Sequence, residues 1–402
     1  MRTDARKIAI VATLDSKGPE ARYLRDGLQD RGRKVCVIDV GTAGEPEFTG
    51  EISRDQIAAG VRNDALLQGP AKALSAVAES ARGIVTELVS KGEISAIVGV
   101  AGGKGAAVFN QITRDLPFGF PKVLVTSGRP PLLAEIATTS DTILMPTLVD
   151  LFGLNQFTRA VLDNAISVTS GLSWAPVAEK DGPMVAITAF GVTTSAVQSV
   201  KTLLERAGIT AIVFPANGAG GRTMESLIEK GSFDGVIDLT TTELVDHLLG
   251  GTSSAGEARL TAAGRLGIPQ VIAPGATDMA NFGAPETVPA RFADRVTYRH
   301  TPMTTLVRTT PQDTAEIGRM TAARLNKASG PVAVFWPGQG VSDYDKPGNP
   351  FHDPVANIAW RDEMVAALHH DIPFIETNYH INDPAFAKLC ADWMIKQIKV
   401  AT

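Results

Sequence analysis

Several features that would send a chain to a membrane, a nucleic acid or an oxidising compartment are missing here. Among 402 residues there are two cysteines, Cys36 and Cys390, far apart and without a CxxC partner. Cys36 falls in an apolar strand pattern, which reads as a reduced core thiol. No stretch approaches the roughly 18–20 apolar residues of a membrane span. The opening MRTDARKIAIVATLDSKG is no signal peptide, because its apolar run, residues 8–12, is too short and opens into a polar loop. Lysine- and arginine-rich runs of the kind that track phosphate backbones are absent, which argues against a nucleic-acid partner. The expectation is a cytoplasmic protein off the membrane. GxGxxG, Walker A and HExxH are missing too, and the absence of the first weakens a nicotinamide-dependent dehydrogenase reading.

What is present suits two globular domains. The chain is 44% hydrophobic and 20% charged, with a net charge of -5, and domains of about 150–250 residues bury cores of that composition. Short apolar runs alternate with helical periods throughout, the pattern of parallel sheets flanked by helices. Residues 8–13, 35–40, 94–100, 123–127 and 143–145 read as strands, with helices at 20–31, 73–89 and 155–169. The segment APVAEKDGP, residues 175–183, breaks the pattern, giving domains at 1–178 and 184–402. Strands at 185–189, 211–214, 235–239, 270–273, 332–336 and 374–376 follow, with helices at 194–207 and 223–230. Residues 7–41 overlay 183–217 without gaps, matching Gly32 to Gly208 and Val37 to Val213; duplication and the generic likeness of βαβ units both fit. The fold class is α/β, two Rossmann-like doubly wound domains with mostly parallel sheets.

Ligands of open α/β sheets sit beyond the carboxyl ends of the strands, so the residues there carry the chemistry. The first strand runs into Thr13, Asp15, Ser16 and Lys17 ahead of a helix: hydroxyl donors, a phosphate-seeking cation and an acid suited to magnesium. A plain capping loop is the other reading. Asp39, Gly41 and Thr42 follow the second strand, where an acid holds ribose in Rossmann domains. Gly102, Gly103, Lys104 and Gly105 follow the third, a nest at a helix start near Ala106, with a tight βα turn as its alternative. Thr126 and Ser127 follow the fourth. Four such loops favour a phosphate-bearing small molecule.

In the second half Gly218, Gly220, Gly221 and Arg222 suit a carboxylate or phosphate, and Thr241 and Thr242 stand as substrate contacts or helix caps. Glu243, Asp278, His300, His352 and His380 are the candidates for proton transfer, the three histidines being read as loop residues. No spacing among them fixes a metal. His247, His369 and His370 read as helical, and as structural or exposed.

Together, the segments 13–18, 39–42, 102–105, 150–155 (DLFGLN), 190–194 (FGVTT), 218–222, 238–243 (DLTTTE), 274–283, 308–310 and 376–380 resemble the Tm-one-like ATP-binding domain family. This comprises uncharacterised bacterial and fungal proteins and the N-terminal domain of a plant protein conferring resistance to tomato mosaic virus. The resemblance spans nearly the whole chain. It implies two Rossmann-like subdomains, ATP with magnesium in the first, and a homodimer. Carried over by position, Lys17, Gly41, Thr42, Gly102, Gly103 and Gly105 would contact nucleotide, with Thr126 and Ser127 beside them. Lys104 stands where that family has a small residue. Pro215 and Asn217 replace a His and a Thr, and Thr301 an Asn. The expectation is an ATP-binding metabolic enzyme acting on a small carboxylated or keto substrate; a non-catalytic, nucleotide-sensing dimeric module is its rival.

Overall fold

The computed structural model describes residues 5–61, 69–176 and 182–401. Two compact units divide the chain, Met1–Ala178 and Glu179–Thr402. Residues 177–181 of the expected boundary lie outside the described residues.

In unit 1, five strands form one parallel sheet: β1 (Lys7–Ala12), β2 (Val35–Asp39), β3 (Ile94–Ala101), β4 (Lys122–Thr126) and β5 (Ile143–Pro146). Their spatial order is β2-β1-β3-β4-β5. The helices are α1 (Gly18–Asp30), α2 (Arg54–Ala59), α3 (Pro70–Ser90), α4 (Gly103–Thr113), α5 (Pro130–Thr139) and α6 (Gln156–Gly171). Strand side chains alternate between two apolar layers. Ile8, Ile10 and Ala12 pack toward α1 and α6, while Ala9 and Val11 pack toward α3 and α4, the division a twofold pleat imposes. Both faces being covered explains why these strands read as unbroken apolar runs.

Unit 2 carries a six-stranded parallel sheet, β6 (Met184–Ala189), β7 (Thr210–Pro215), β8 (Gly235–Thr240), β9 (Gln270–Gly275), β13 (Val332–Pro337) and β14 (Phe374–Thr377). Its order is β14-β13-β9-β8-β6-β7. Read from the other edge, this is the winding of unit 1 with one strand more. Helices α7 (Thr194–Arg206), α8 (Ala219–Glu229), α9 (Thr242–Leu249), α10 (Ala262–Leu266), α11 (Pro311–Leu325), α12 (Pro354–Ala367) and α13 (Pro384–Ala401) cover it. The repeat-matched Gly32 and Gly208 both end a helix in the left-handed region, at φ 74° and 80°, a conformation glycine adopts without steric cost.

Sequence patterning did not anticipate the second sheet of unit 2. Here β10 (Met279–Phe282), β12 (Thr304–Arg308) and β11 (Thr297–Thr301) pair antiparallel. β11 is exposed at every position, so it lacks the apolar alternation by which strands are recognised. Two glycine-rich helix starts also move. α4 begins at Gly103 rather than near Ala106, and α8 at Ala219 rather than Thr223; glycine-rich first turns have low helix propensity and read as loop. His369 and His370 follow α12 instead of lying in a helix.

Candidate functional site

The chain order turns from β2 to β3 across β1, so the crevice beyond β1 and β3 is the topological switch point of unit 1. Cavities of about 300–1,000 Å³ are typical for small ligands, and the one here measures about 730 Å³. Its wall holds nine of the twelve nucleotide candidates: Thr13, Asp15, Ser16, Lys17, Thr42, Gly102, Gly103, Lys104 and Gly105, with Ala43, Ala71 and Leu74. Gly41 lines a neighbouring cavity of about 200 Å³, which shares Thr42. Thr126 and Ser127 are outside both walls. The Thr126 hydroxyl accepts the Gly128 N–H at 2.9 Å, and the Ser127 hydroxyl donates to Asp150 at 2.9 Å, so both shape the turn into α5.

The first-strand loop is a tight turn, with Ser16 and Lys17 amides on the Thr13 carbonyl at 3.0 and 2.7 Å. The Thr13 and Ser16 hydroxyls are 2.8 Å apart. Lys17 sits at the N-cap of α1 and gives its ammonium to the Leu151 carbonyl. Asp15 Oδ2 accepts the Ala43 N–H at 2.9 Å and stands 3.9 Å from Arg54. Asp39, the expected ribose acid, is 2% exposed. One oxygen takes the Leu14 and Gly41 amides at 3.0 and 2.9 Å, the other Arg54 at 3.2 Å. The protein itself satisfies this carboxylate, which therefore shapes the loop.

Gly102 and Gly103 are informative for what they do not touch. A Cβ built on either meets no atom within 4 Å, and neither has positive φ. Neither a left-handed backbone nor internal packing demands a glycine at these positions: Gly102 is the extended N-cap of α4, a place glycine suits, and Gly103 is its first helical residue. Their smallness is directed outward, into the cavity, where the first amides of α4 have no intrahelical partner.

The glycine loop of unit 2, which follows β7, is treated differently. Gly218 has φ 84°; a Cβ on Gly220 would strike the Pro215 carbonyl, and one on Gly221 the Glu243 carboxylate. Each glycine is thus explained from inside. Glu243 Oε1 accepts the Gly218 and Gly221 amides at 2.7 and 3.2 Å, and Asn217 takes the Gly220 amide at 3.0 Å. A side-chain carboxylate occupies the start of α8 where a substrate anion was expected. Glu243 is fully buried, and its other oxygen accepts from Arg259 at 2.6 Å. Arg259 also binds Glu225 at 3.2 Å and Asp238 at 2.5 Å. Burial raises the pKa of Glu225, with Arg259 opposing it. Arg222 donates to the Ser254 carbonyl at 2.6 Å. Thr241 and Thr242 are buried, on the Ala273 and Met279 carbonyls at 3.2 and 3.4 Å.

The remaining proton-transfer candidates gather around the loop after β13. Asp278 is fully buried, one oxygen accepting from the Ser342 hydroxyl at 2.7 Å and Oδ1 without a hydrogen-bond partner. Burial pushes its carboxyl up to about 7; Arg308 opposes the rise and Asp345 adds to it. Asp345 is raised as well, chiefly by burial. Ala276, two residues upstream of Asp278, has φ 55° without being glycine, a strained conformation found at functional sites more often than elsewhere. His380 is locked: Nε2 donates to the Ser342 carbonyl at 2.9 Å and Nδ1 accepts from Asn382 at 3.1 Å. His352 lies 3.7 Å from Asp345. His300, on β11 rather than in a loop, has Nδ1 2.9 Å from the Tyr344 hydroxyl. No group of three or more His, Cys, Asp or Glu poised to hold a metal occurs among the described residues. Arg259, Ser342 and Asp345 were not among the sequence candidates. Their partners lie 12 to 64 residues away in sequence, and such pairs leave no local pattern.

Two doubly wound α/β units with a polar crevice at a switch point define the class. The chain belongs to the uncharacterised protein family UPF0261, whose N-terminal domain matches residues 6–176 and whose C-terminal domain matches residues 182–398. A UPF0261 protein of Clostridium tetani is 36% identical over 98% of this chain and 99% of that protein. The UPF0261 protein RA0729 of Rhizobium meliloti is 38% identical over 95% and 97%. The ToMV resistance protein Tm-1(GCR237) of Solanum lycopersicum is 30% identical, covering 97% of this chain but 56% of that protein. No described helix is long and apolar enough to cross a membrane.

Proposed function

We propose that unit 1 binds a nucleoside phosphate, ATP with magnesium, in the crevice beyond β1 and β3. One observation carries this reading: Gly102 and Gly103 begin a helix with open space where side chains would stand, on the wall of a cavity that also holds Lys17 and Lys104. Phosphate oxygens accept from such first-turn amides and are drawn by the helix dipole and the two cations. The wall fits a magnesium ion too, since Asp15 and Ser16 offer oxygen ligands beside the phosphates, directly or through water. The full reading is a cytoplasmic homodimer that takes a small-molecule ligand rather than nucleic acid.

In titration calorimetry with Mg-ATP, Lys17→Ala and Gly103→Val should each weaken binding by about tenfold or more, about 1.4 kcal/mol, with little change in melting temperature. Unchanged affinity in both variants removes the assignment.

For unit 2 the proposal is catalysis on a small carboxylated or keto substrate, for which Asp278, with its unpartnered oxygen and raised pKa, is the best-placed proton carrier. The internal commitment of Glu243, His380, Gly218 and Gly221 favours the second reading, a nucleotide-sensing module without turnover. Phosphate release or product formation on incubation with Mg-ATP and candidate keto acids separates the two.

A further inference from the structure

We infer that unit 2 holds a separate site for a small organic ammonium, in the hollow where the ends of α11 and α12 meet one face of α13. The hollow measures about 420 Å³, within the range of small-molecule pockets. Pro331 and Pro373 belong to its wall and immediately precede β13 and β14. These strands run parallel, and Ser342 and His380 lie beyond their carboxyl ends. The hollow is therefore at the opposite end of the sheet from the catalytic candidates. It stands or falls independently of them.

Three features of the wall call for positive charge. Asp371 lines it, while no lysine or arginine does so among the described residues; Arg324 and Lys327 border a different hollow, together with Glu257. Trp393, on α13, contributes an indole, whose ring face attracts cations through its quadrupole. Two helices also end here: Asn326 caps α11, and His369 directly follows the cap of α12. Helix C-termini carry partial negative charge and favour a cation. Asn326 makes this wall rigid, its Nδ2 donating to the Ala367 carbonyl at 2.8 Å and its Oδ1 accepting the His369 N–H at 2.8 Å. An occupant touching Asn326 and Trp393 would brace α11, α12 and α13 together.

Titration calorimetry with matched charged and neutral probes tests the site. Choline is set against dimethylbutanol, which has its shape with carbon in place of nitrogen, and ethanolamine against propanol. At least one ammonium should bind about tenfold or more tightly than its neutral partner; which one tells a methylated ammonium from a primary one. The bound ammonium should raise the melting transition of unit 2 and leave that of unit 1 in place. Asp371 is exposed, so Asp371→Asn should fold like the wild type yet bind the ammonium about threefold more weakly. Trp393→Leu should weaken it about fivefold. Ammonium and neutral probes of equal affinity, no binding of either ammonium, or a melting shift confined to unit 1 overturns the site. So does wild-type affinity in both variants.

Discussion

The two units wind their sheets in the same order, yet place opposite chemistry at the strand ends. After β3, unit 1 has Gly102-Gly103-Lys104-Gly105; after β8, the equivalent strand, unit 2 has Thr241-Thr242-Glu243. In unit 1 the helix start faces a cavity. In unit 2 a glutamate from that position fills the start of α8, the helix after the neighbouring strand β7, with Arg259 behind it. A helix N-terminus favours an anion whatever its source. Where the chain supplies the carboxylate, the site is structural; where it leaves space, the anion must come from solution. Glycine alone does not tell these cases apart. What each glycine would strike does.

The comparison breaks most severely at Arg259. Arg259→Met leaves Glu225, Asp238 and Glu243 buried without their cation, and breaking a buried ion cluster from one side costs about 3–5 kcal/mol. Urea unfolding followed by tryptophan fluorescence measures it, since Trp336, Trp360 and Trp393 report unit 2 and Trp174 unit 1. The unit 2 transition should move and that of unit 1 stay. Equal shifts in both would show that the cluster does not belong to unit 2 alone.

A smaller effect separates the units by pH. Asp278 titrates near 7 when folded against an ordinary value of 3.8, and Asp246 near 6 against 3.8, raised first by burial. Both bind protons more tightly in the folded state. Their contribution is therefore complete below the ordinary carboxyl range and is lost as pH rises from about 4 through 6 to 7. Unit 2 should lose a few kcal/mol of stability across that window, and Asp278→Asn should flatten the upper part of the decline. A wild-type unit 2 equally stable at pH 5 and pH 8 would contradict the raised values.

Local sequence carried the architecture further than it carried the site. Strands buried on both faces announce themselves as apolar runs, and Gly32 and Gly208 mark matching helix ends, so both parallel sheets were legible. β11 was not, because an exposed edge strand has no apolar face to show. Within unit 1 the loops at strand ends did converge on one cavity, apart from Thr126 and Ser127, whose hydroxyls turn into their own loop. Within unit 2 the same signals, glycines and acids after strands, are answered by Glu243 and Arg259. That pairing spans 16 residues and obeys no period, so only the folded chain reveals it.

The finest test lies in the first turn of α4. Gly103→Ala adds a methyl group where nothing stands within 4 Å, at the first residue of α4, where alanine loses less backbone entropy on folding than glycine. Unit 1 should melt slightly higher without ligand and bind Mg-ATP more weakly, the two effects pulling in opposite directions. Gly221→Ala in unit 2 meets the Glu243 carboxylate instead and should only destabilise. If Gly103→Ala lowered the melting temperature of the free chain, this glycine would have an internal reason to exist, and the contrast between the two helix starts would disappear.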